Sequence, residues 1–296
     1  MGSKLSDYWP FVPDFIHSYG FAMMVGFLAA LFAAHRRAKK IGLPTDAVMD
    51  LAFWAFLSGL IGARLFYVFQ NLPGYLRAPW EVFFLWEGGL VFYGGLLTAT
   101  AVSFYTIYVK KLPLWRTLDV FASVVMVGLA FGRIGCFSRG CCWGIPTEAW
   151  WGVVFPPDAP PYVGTGISDD TALVPTQLIS SFNAFVIFGI TSLYWHRWRR
   201  RDGEVVVLLF ILYPIHRFII EFFRADTHVP GSLTVAQWIS IACFFLSTGL
   251  LIWLRSRPSS AATPEANAPP PEEPANRKNR RPKGKRSKRK RGKQKA

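Results

Sequence analysis

Charge is what this chain has least of: Asp, Glu, Lys and Arg make up 17% of its 296 residues, while 52% are hydrophobic and 16% aromatic. So greasy and charge-poor a composition does not suit a typical soluble domain. Acidic residues are the scarcer kind, 18 against 33 Lys and Arg, which leaves a formal net charge of +15. The first 15 residues lack the basic start and small-residue cleavage site of a signal peptide, so the first apolar stretch reads as retained. No internal repeat is evident. No cluster of His, Cys and Asp shows convincing metal-ligand spacing, and neither a metal nor another cofactor is expected.

What the chain has instead is apolar runs of about 20 residues, enough to cross a hydrocarbon core of roughly 30 Å. They fall at 15–34, 48–69, 90–109, 117–137, 176–195, 204–223 and 233–254. The expected fold is an all-α polytopic membrane protein with seven transmembrane helices. Basic residues orient it. Arg36, Arg37, Lys39 and Lys40, then Lys110, Lys111 and Arg116, then Arg197, Arg199, Arg200 and Arg201, and finally Arg255 and Arg257 alternate with connections carrying only Lys4, Arg77, Arg139 and Arg224. The expectation is an outside N-terminus and a cytoplasmic C-terminus, which an odd number of spans also requires.

Three segments follow: a membrane domain at 1–257, a Pro/Ala/Glu-rich linker at 258–276, and a tail at 277–296 that holds 13 of the 33 basic residues. Linker and tail are expected to be disordered. Beside a membrane helix, a basic tail is drawn to anionic membrane lipids, worth about 1 kcal/mol per residue near the surface. No specific nucleic-acid partner is expected. Two long outer connections, at 70–89 and 138–175, are rich in Gly, Pro and aromatics. The second is expected to fold against the membrane surface.

Arg64, Arg133, Arg217 and Glu221 sit deep within the apolar runs, among apolar neighbours. Each costs roughly 2.5–3.5 kcal/mol at a helix centre, and such residues usually face a polar cavity. Three cations to one anion leave room for an anionic guest arriving from the membrane, which points to a phospholipid head group. Tyr213, Arg217, Glu221 and Arg224 fall on one helical face. An internal Arg217–Glu221 pair is the plainer alternative. His216 reads as pointing to another face. Gly132 and Gly135, flanking Arg133, serve either helix packing or close approach of a ligand.

The window Gly132-Arg133-Ile134-Gly135-Cys136-Phe137, closing on Gly144, resembles the signature of the prolipoprotein diacylglyceryl transferase family. Further stretches resemble that family in the same order: His17-Ser18-Tyr19-Gly20, Gly62-Ala63-Arg64-Leu65, Gly88-Gly89-Leu90-Val91-Phe92-Tyr93-Gly94-Gly95, Pro175-Thr176-Gln177-Leu178, and the run from Arg217 to Arg224. The resemblance implies a multi-pass enzyme of the bacterial inner membrane. It would move the diacylglyceryl group of phosphatidylglycerol to the lipobox cysteine thiol beside a prolipoprotein's signal peptide, releasing glycerol phosphate. On that reading Arg133, Arg64, Arg224 and Gln177, with Gly132 and Gly144, bind the phospholipid. Tyr19, Tyr93, Glu221 and Arg217 shape the reaction centre.

Three positions depart from the family pattern: Tyr93 replaces a His, Cys136 an Asn and Cys141 a Glu. A phenol titrates near 10, so Tyr93 is a poor base. Cys136, Cys141 and Cys142 read first as a structural bridge or inert thiols, with catalytic and metal-binding roles behind. Cys243 reads as packing. Two rival functions remain: a non-catalytic phospholipid-binding or lipid-moving relative, and a membrane thiol-redox protein.

Overall fold

The computed structural model of the protein describes residues 18–84, 88–225 and 232–256. His17, the start of the first expected span, the linker and the basic tail lie outside them. The described chain forms α1 (Ser18–Lys40), α2 (Thr45–Gln70), the single turn α3 (Leu72–Tyr75), a 3₁₀ turn (Pro79–Phe83), α4 (Phe92–Val109), α5 (Leu114–Arg139), α6 (Thr176–Arg197), α7 (Glu204–Glu221) and α8 (Val235–Ser256). Among the described residues, extended pairing is confined to isolated bridges.

Six of these helices, α1, α2, α4, α5, α6 and α8, are long and apolar enough to cross a membrane. This is a multi-pass membrane protein. The expected span at 204–223 forms α7, 18 residues long. Glu204, Arg217 and Glu221 lie within it. Large apolar side chains stand on the exterior, among them Phe32, Phe69, Phe182, Phe245 and Leu246. In water such a surface would be an aggregation liability; in lipid it is the normal exterior.

Because lipid tails are as apolar as the helices, close packing rather than the hydrophobic effect holds the helices together. Small residues permit it. Gly62 of α2 lies directly on Thr98 of α4, and Gly94 and Gly95 approach the Gly62 and Gly59 carbonyls too closely for any added Cβ. The main interior cluster joins Ala34 and Ala38 of α1, Val120 and Val124 of α5, Ile187 of α6, and Val205 and Leu209 of α7.

At the basic end of the bundle α7 begins on a charge from another helix. Asp119 of α5 is fully buried and accepts hydrogen bonds from the backbone N–H groups of Gly203, Val205 and Val206, at 2.8, 3.0 and 2.9 Å. A carboxylate there satisfies orphan donors and meets the positive end of the helix dipole. Arg199 completes the arrangement, its Nε 3.2 Å from Asp119 Oδ2. Glu204, also fully buried, binds the Tyr194 hydroxyl at 2.9 Å and faces Arg255 at 3.6 Å. Asp119→Ala should lower stability by about 3–5 kcal/mol, the usual loss when half of a buried pair is removed. Thermal unfolding of the detergent-purified protein measures this; an unchanged transition would show that α7 does not need the cross-helix cap.

Candidate functional site

At the opposite end, α5, α6, α7 and the 138–175 connection meet. That connection is built around its own apolar cluster of Phe155, Ala159, Tyr162 and Leu173, packed by Phe137 and Trp143. The Tyr162 hydroxyl accepts from the Phe155 N–H at 3.0 Å and donates to the Thr171 carbonyl at 2.9 Å. One edge is stitched to the helices: Gly144 N–H donates to Val174 O at 3.0 Å and Ile145 N–H to Phe223 O at 2.9 Å. Gly144 is squeezed between those neighbours, with no space for a Cβ. Gly132 faces the Met23 sulfur across the α1–α5 contact.

The three arginines expected to gather make different contacts. Arg64 is buried and holds the backbone at Glu81, Val82, Gly88 and Gly89. Its Nε donates to Val82 O at 3.0 Å, Nη2 to Glu81 O at 2.5 Å, and Nη1 to Gly88 O at 2.6 Å and Gly89 O at 3.3 Å. Its guanidinium also lies over Tyr67 and Tyr75, at 5.8 and 5.5 Å. Gly88 and Gly89 both adopt positive φ, 90° and 71°, a region glycine enters without steric cost. That turn aims both carbonyls at Arg64. With all three nitrogens engaged, Arg64 is a clamp on the chain itself, not an open anion ligand.

Arg217 and Glu221 form the internal pair that the spacing allowed, 2.5 Å apart within α7. The other Glu221 oxygen accepts from the Thr234 hydroxyl at 2.9 Å. Thr234 and Gln237 make reciprocal contacts at the start of α8: Thr234 N–H to Gln237 Oε1 at 2.9 Å, and Gln237 N–H to Thr234 Oγ1 at 3.3 Å. This is a capping box, legible in the sequence as Thr-x-x-Gln but unremarked there. Glu221 thus ties α7 to α8 and orients Arg217.

Arg133 is different. It stands six residues before the end of α5, about 9 Å inward along the helix axis. Among the described residues it makes no hydrogen bond or ion pair. Tyr19, Cys136, Cys142 and His216 all lie within its electrostatic reach. Tyr19 packs on Gly135, the residue before Cys136, and is partly exposed at 37%. Arg224 pairs with Gly144 through an antiparallel bridge, and its charge reaches Cys142.

His216 is the residue the sequence reading left out. It is buried, 9% exposed, and feels both Arg133 and Arg217. It shares the inward face of α7 with Leu209 and Ile220, at offsets of seven and four residues, and that spacing was the available signal. Tyr93 goes the other way. It is 68% exposed at the start of α4, its ring edge-on to Phe92 at 5.7 Å, and nothing draws it toward the arginines.

Gln177 is wholly buried; its Nε2 donates to the Cys141 carbonyl at 2.9 Å, while Oε1 has no partner among the described residues. The Thr176 hydroxyl holds the Cys142 carbonyl at 2.7 Å. Cys142 itself adopts φ 62°, uncommon for any residue but glycine. Metal-ligand spacing was not evident in the sequence, yet the fold brings the Cys136, Cys141 and Cys142 sulfurs within 4.8 Å of one another. Within the trio, hydrogen bonding with Cys136 and Cys141 pulls the Cys142 thiol below its ordinary range, and the same sharing pushes the Cys141 thiol above its own.

The site therefore offers an uncommitted guanidinium, a second guanidinium braced by Glu221, a buried imidazole and three clustered sulfurs. Replacing Arg64 with Ala should free the 79–89 connection, since hydrogen bonds to a charged donor contribute about 1.5–3 kcal/mol each. Limited proteolysis should then cut within that connection while helix content by circular dichroism stays unchanged. Equal resistance in both proteins would remove the clamp role.

Comparison with known proteins places these residues in context. Residues 9–253 match the model of the family described as prolipoprotein diacylglyceryl transferase. A Thermotoga maritima protein named phosphatidylglycerol–prolipoprotein diacylglyceryl transferase is 36% identical over 241 residues, covering 80% of each chain. Its namesake from Bordetella parapertussis is 33% identical over 258 residues, 83% of this chain and 94% of the relative. The Pseudomonas fluorescens protein of that name is 31% identical over 254 residues, 82% and 90% respectively.

Proposed function

Since the chain belongs to the prolipoprotein diacylglyceryl transferase family, we propose that it transfers the diacylglyceryl group of phosphatidylglycerol to the lipobox cysteine thiol of a prolipoprotein. Glycerol phosphate is the leaving product. The observation that carries the mechanism is Arg133, a guanidinium at membrane depth with no hydrogen-bond or ion-pair partner among the described residues and with tyrosine, histidine and cysteine side chains around it.

A guanidinium presents a planar fork of donors matched to phosphate oxygens. Arg133 grips the phosphodiester, and Arg217, held in place by Glu221, adds a second cation. As the thiolate attacks the glyceryl carbon, negative charge grows on the departing phosphate, and donors fixed beforehand stabilise that charge most. Tyr19 flanks the same space. His216, in reach of both guanidiniums, takes the thiol's proton in place of the surface-exposed Tyr93. Arg224 and the 138–175 connection form the rim against which the signal peptide docks.

The acyl chains remain in lipid. An apolar groove of about 340 Å³ between α7 and α8, lined by Pro214, Phe218, Ile219 and Phe244 among others, runs along the helix that carries Arg217, and gives the lipid a sideways approach. In the proposed topology α7 is a seventh span, because the site requires its charged end beside α5 and its apolar outer face is continuous with that of α8. Counting it puts the basic end of the bundle in the cytoplasm and the site at the outer face of a bacterial inner membrane.

Arg133→Ala should reduce transfer from phosphatidylglycerol to a lipobox peptide by about 10²–10³-fold, the range for removing one oxyanion-stabilising donor. Arg133→Lys should recover little, because Lys has no fork. The assay uses purified protein with matched unfolding temperatures. A full rate from the Ala variant would overturn the assignment, and an inactive wild type would favour a lipid-binding relative.

A further inference from the structure

Cys136 leaves the last turn of α5, and Cys141 and Cys142 follow the helix end at Gly140, which closes α5 in a left-handed conformation. The three sulfurs converge within 4.8 Å and none is in a disulfide. Three features show that the chain is built to hold them there. Gln177 and Thr176, from the first turn of α6, fix the carbonyls of Cys141 and Cys142. Cys142 takes a left-handed φ, a strained choice that persists where surrounding structure enforces it. The Cys141 N–H returns to the Cys136 carbonyl at 3.1 Å, closing the loop on itself.

A single disulfide would satisfy two sulfurs and leave the third idle beside it. A thiophilic cation uses all three. Zinc–thiolate bonds are about 2.3 Å, which sets neighbouring sulfurs roughly 3.8 Å apart in a tetrahedron, so side-chain rotation alone closes the cluster. Charge supports the same occupant. Zinc with three thiolates carries one net negative charge and with a fourth carries two, and Arg133 and Arg224 are the cations whose fields reach this cluster.

We propose that Cys136, Cys141 and Cys142 bind one zinc ion whose open fourth position takes the cysteine thiol of the prolipoprotein. This rests on the transfer reaction proposed above and supplies its nucleophile. Three protein ligands with one open position is the usual form of a catalytic zinc site, and a coordinating thiol is deprotonated outright. The substrate S–H bond breaks, its proton passing to solvent, and a zinc–sulfur bond forms. The sulfur pair then attacks the glyceryl carbon, the C–O bond to phosphate breaks, and glycerol phosphate leaves with the electron pair. No oxidant or reductant is involved.

The test uses the full chain, purified in detergent with reductant, and Co²⁺ as the probe. Expected is one Co²⁺ per chain with a thiolate-to-cobalt absorption band, displaced by Zn²⁺. The band should shift on adding a lipobox peptide with Cys and stay put with its Ser counterpart. Cys136→Ser and Cys141→Ser should each weaken cobalt binding by more than the roughly 10–100-fold that losing an outer-shell partner costs, while Cys243→Ser, in α8, changes nothing. The site is overturned if reduced wild type binds no Co²⁺ or Zn²⁺, if the band ignores the Cys peptide, or if thiol counting shows a disulfide among the three. Transfer measured on the same preparations separates the two ideas. Metal-free protein that still transfers removes the zinc site and keeps the reaction. Cobalt-loaded protein that answers the peptide but never transfers keeps the site and removes the reaction.

Discussion

A guanidinium carried into an apolar span must find oxygen atoms there or remain at a cost of several kcal/mol, and this molecule meets that constraint in three different ways. Arg64 is surrounded by backbone carbonyls of one connection. Arg217 leans on a carboxylate one turn away. Arg133 has neither among the described residues. The first two arrangements are complete within the protein and give it shape. The third is the guanidinium proposed to hold the phosphodiester, and the proposed chemistry is organised around that difference.

The two ends of the bundle handle charge on opposite principles. At the basic end every buried acid is matched: Asp119 by three N–H groups and Arg199, Glu204 by a phenol, a backbone N–H and Arg255. Such matching fixes helix positions. At the other end Arg133 sits without a paired acid among the described residues, beside thiols, an imidazole and a tyrosine. Rigidity at one end lets the other hold reactive groups in register, since α5 and α7 run the length of both.

Much of this was legible in the amino-acid order. Twenty-residue apolar runs announced the helices, and six of them have the length and apolarity to span. The i, i+4 spacing announced the Arg217–Glu221 pair. What stayed hidden depended on contacts across the fold. Nothing local tells that Arg64 is satisfied by carbonyls 17 to 25 residues away, because that depends on the path of a glycine-rich turn. His216 looked peripheral because its neighbour Arg217 drew attention to another face. The cysteine cluster escaped because 136, 141 and 142 have no metal-motif spacing; their sulfurs meet only after α5 ends and α6 pulls the following carbonyls inward.

That last contact has an evolutionary corollary. Thr176 and Gln177 grip the chain at Cys141 and Cys142 through main-chain oxygens, so they hold the segment whatever side chains it carries. The thiols can therefore be exchanged for other ligating or proton-carrying groups without disturbing their support. The helix start that grips them, by contrast, has no such licence to drift.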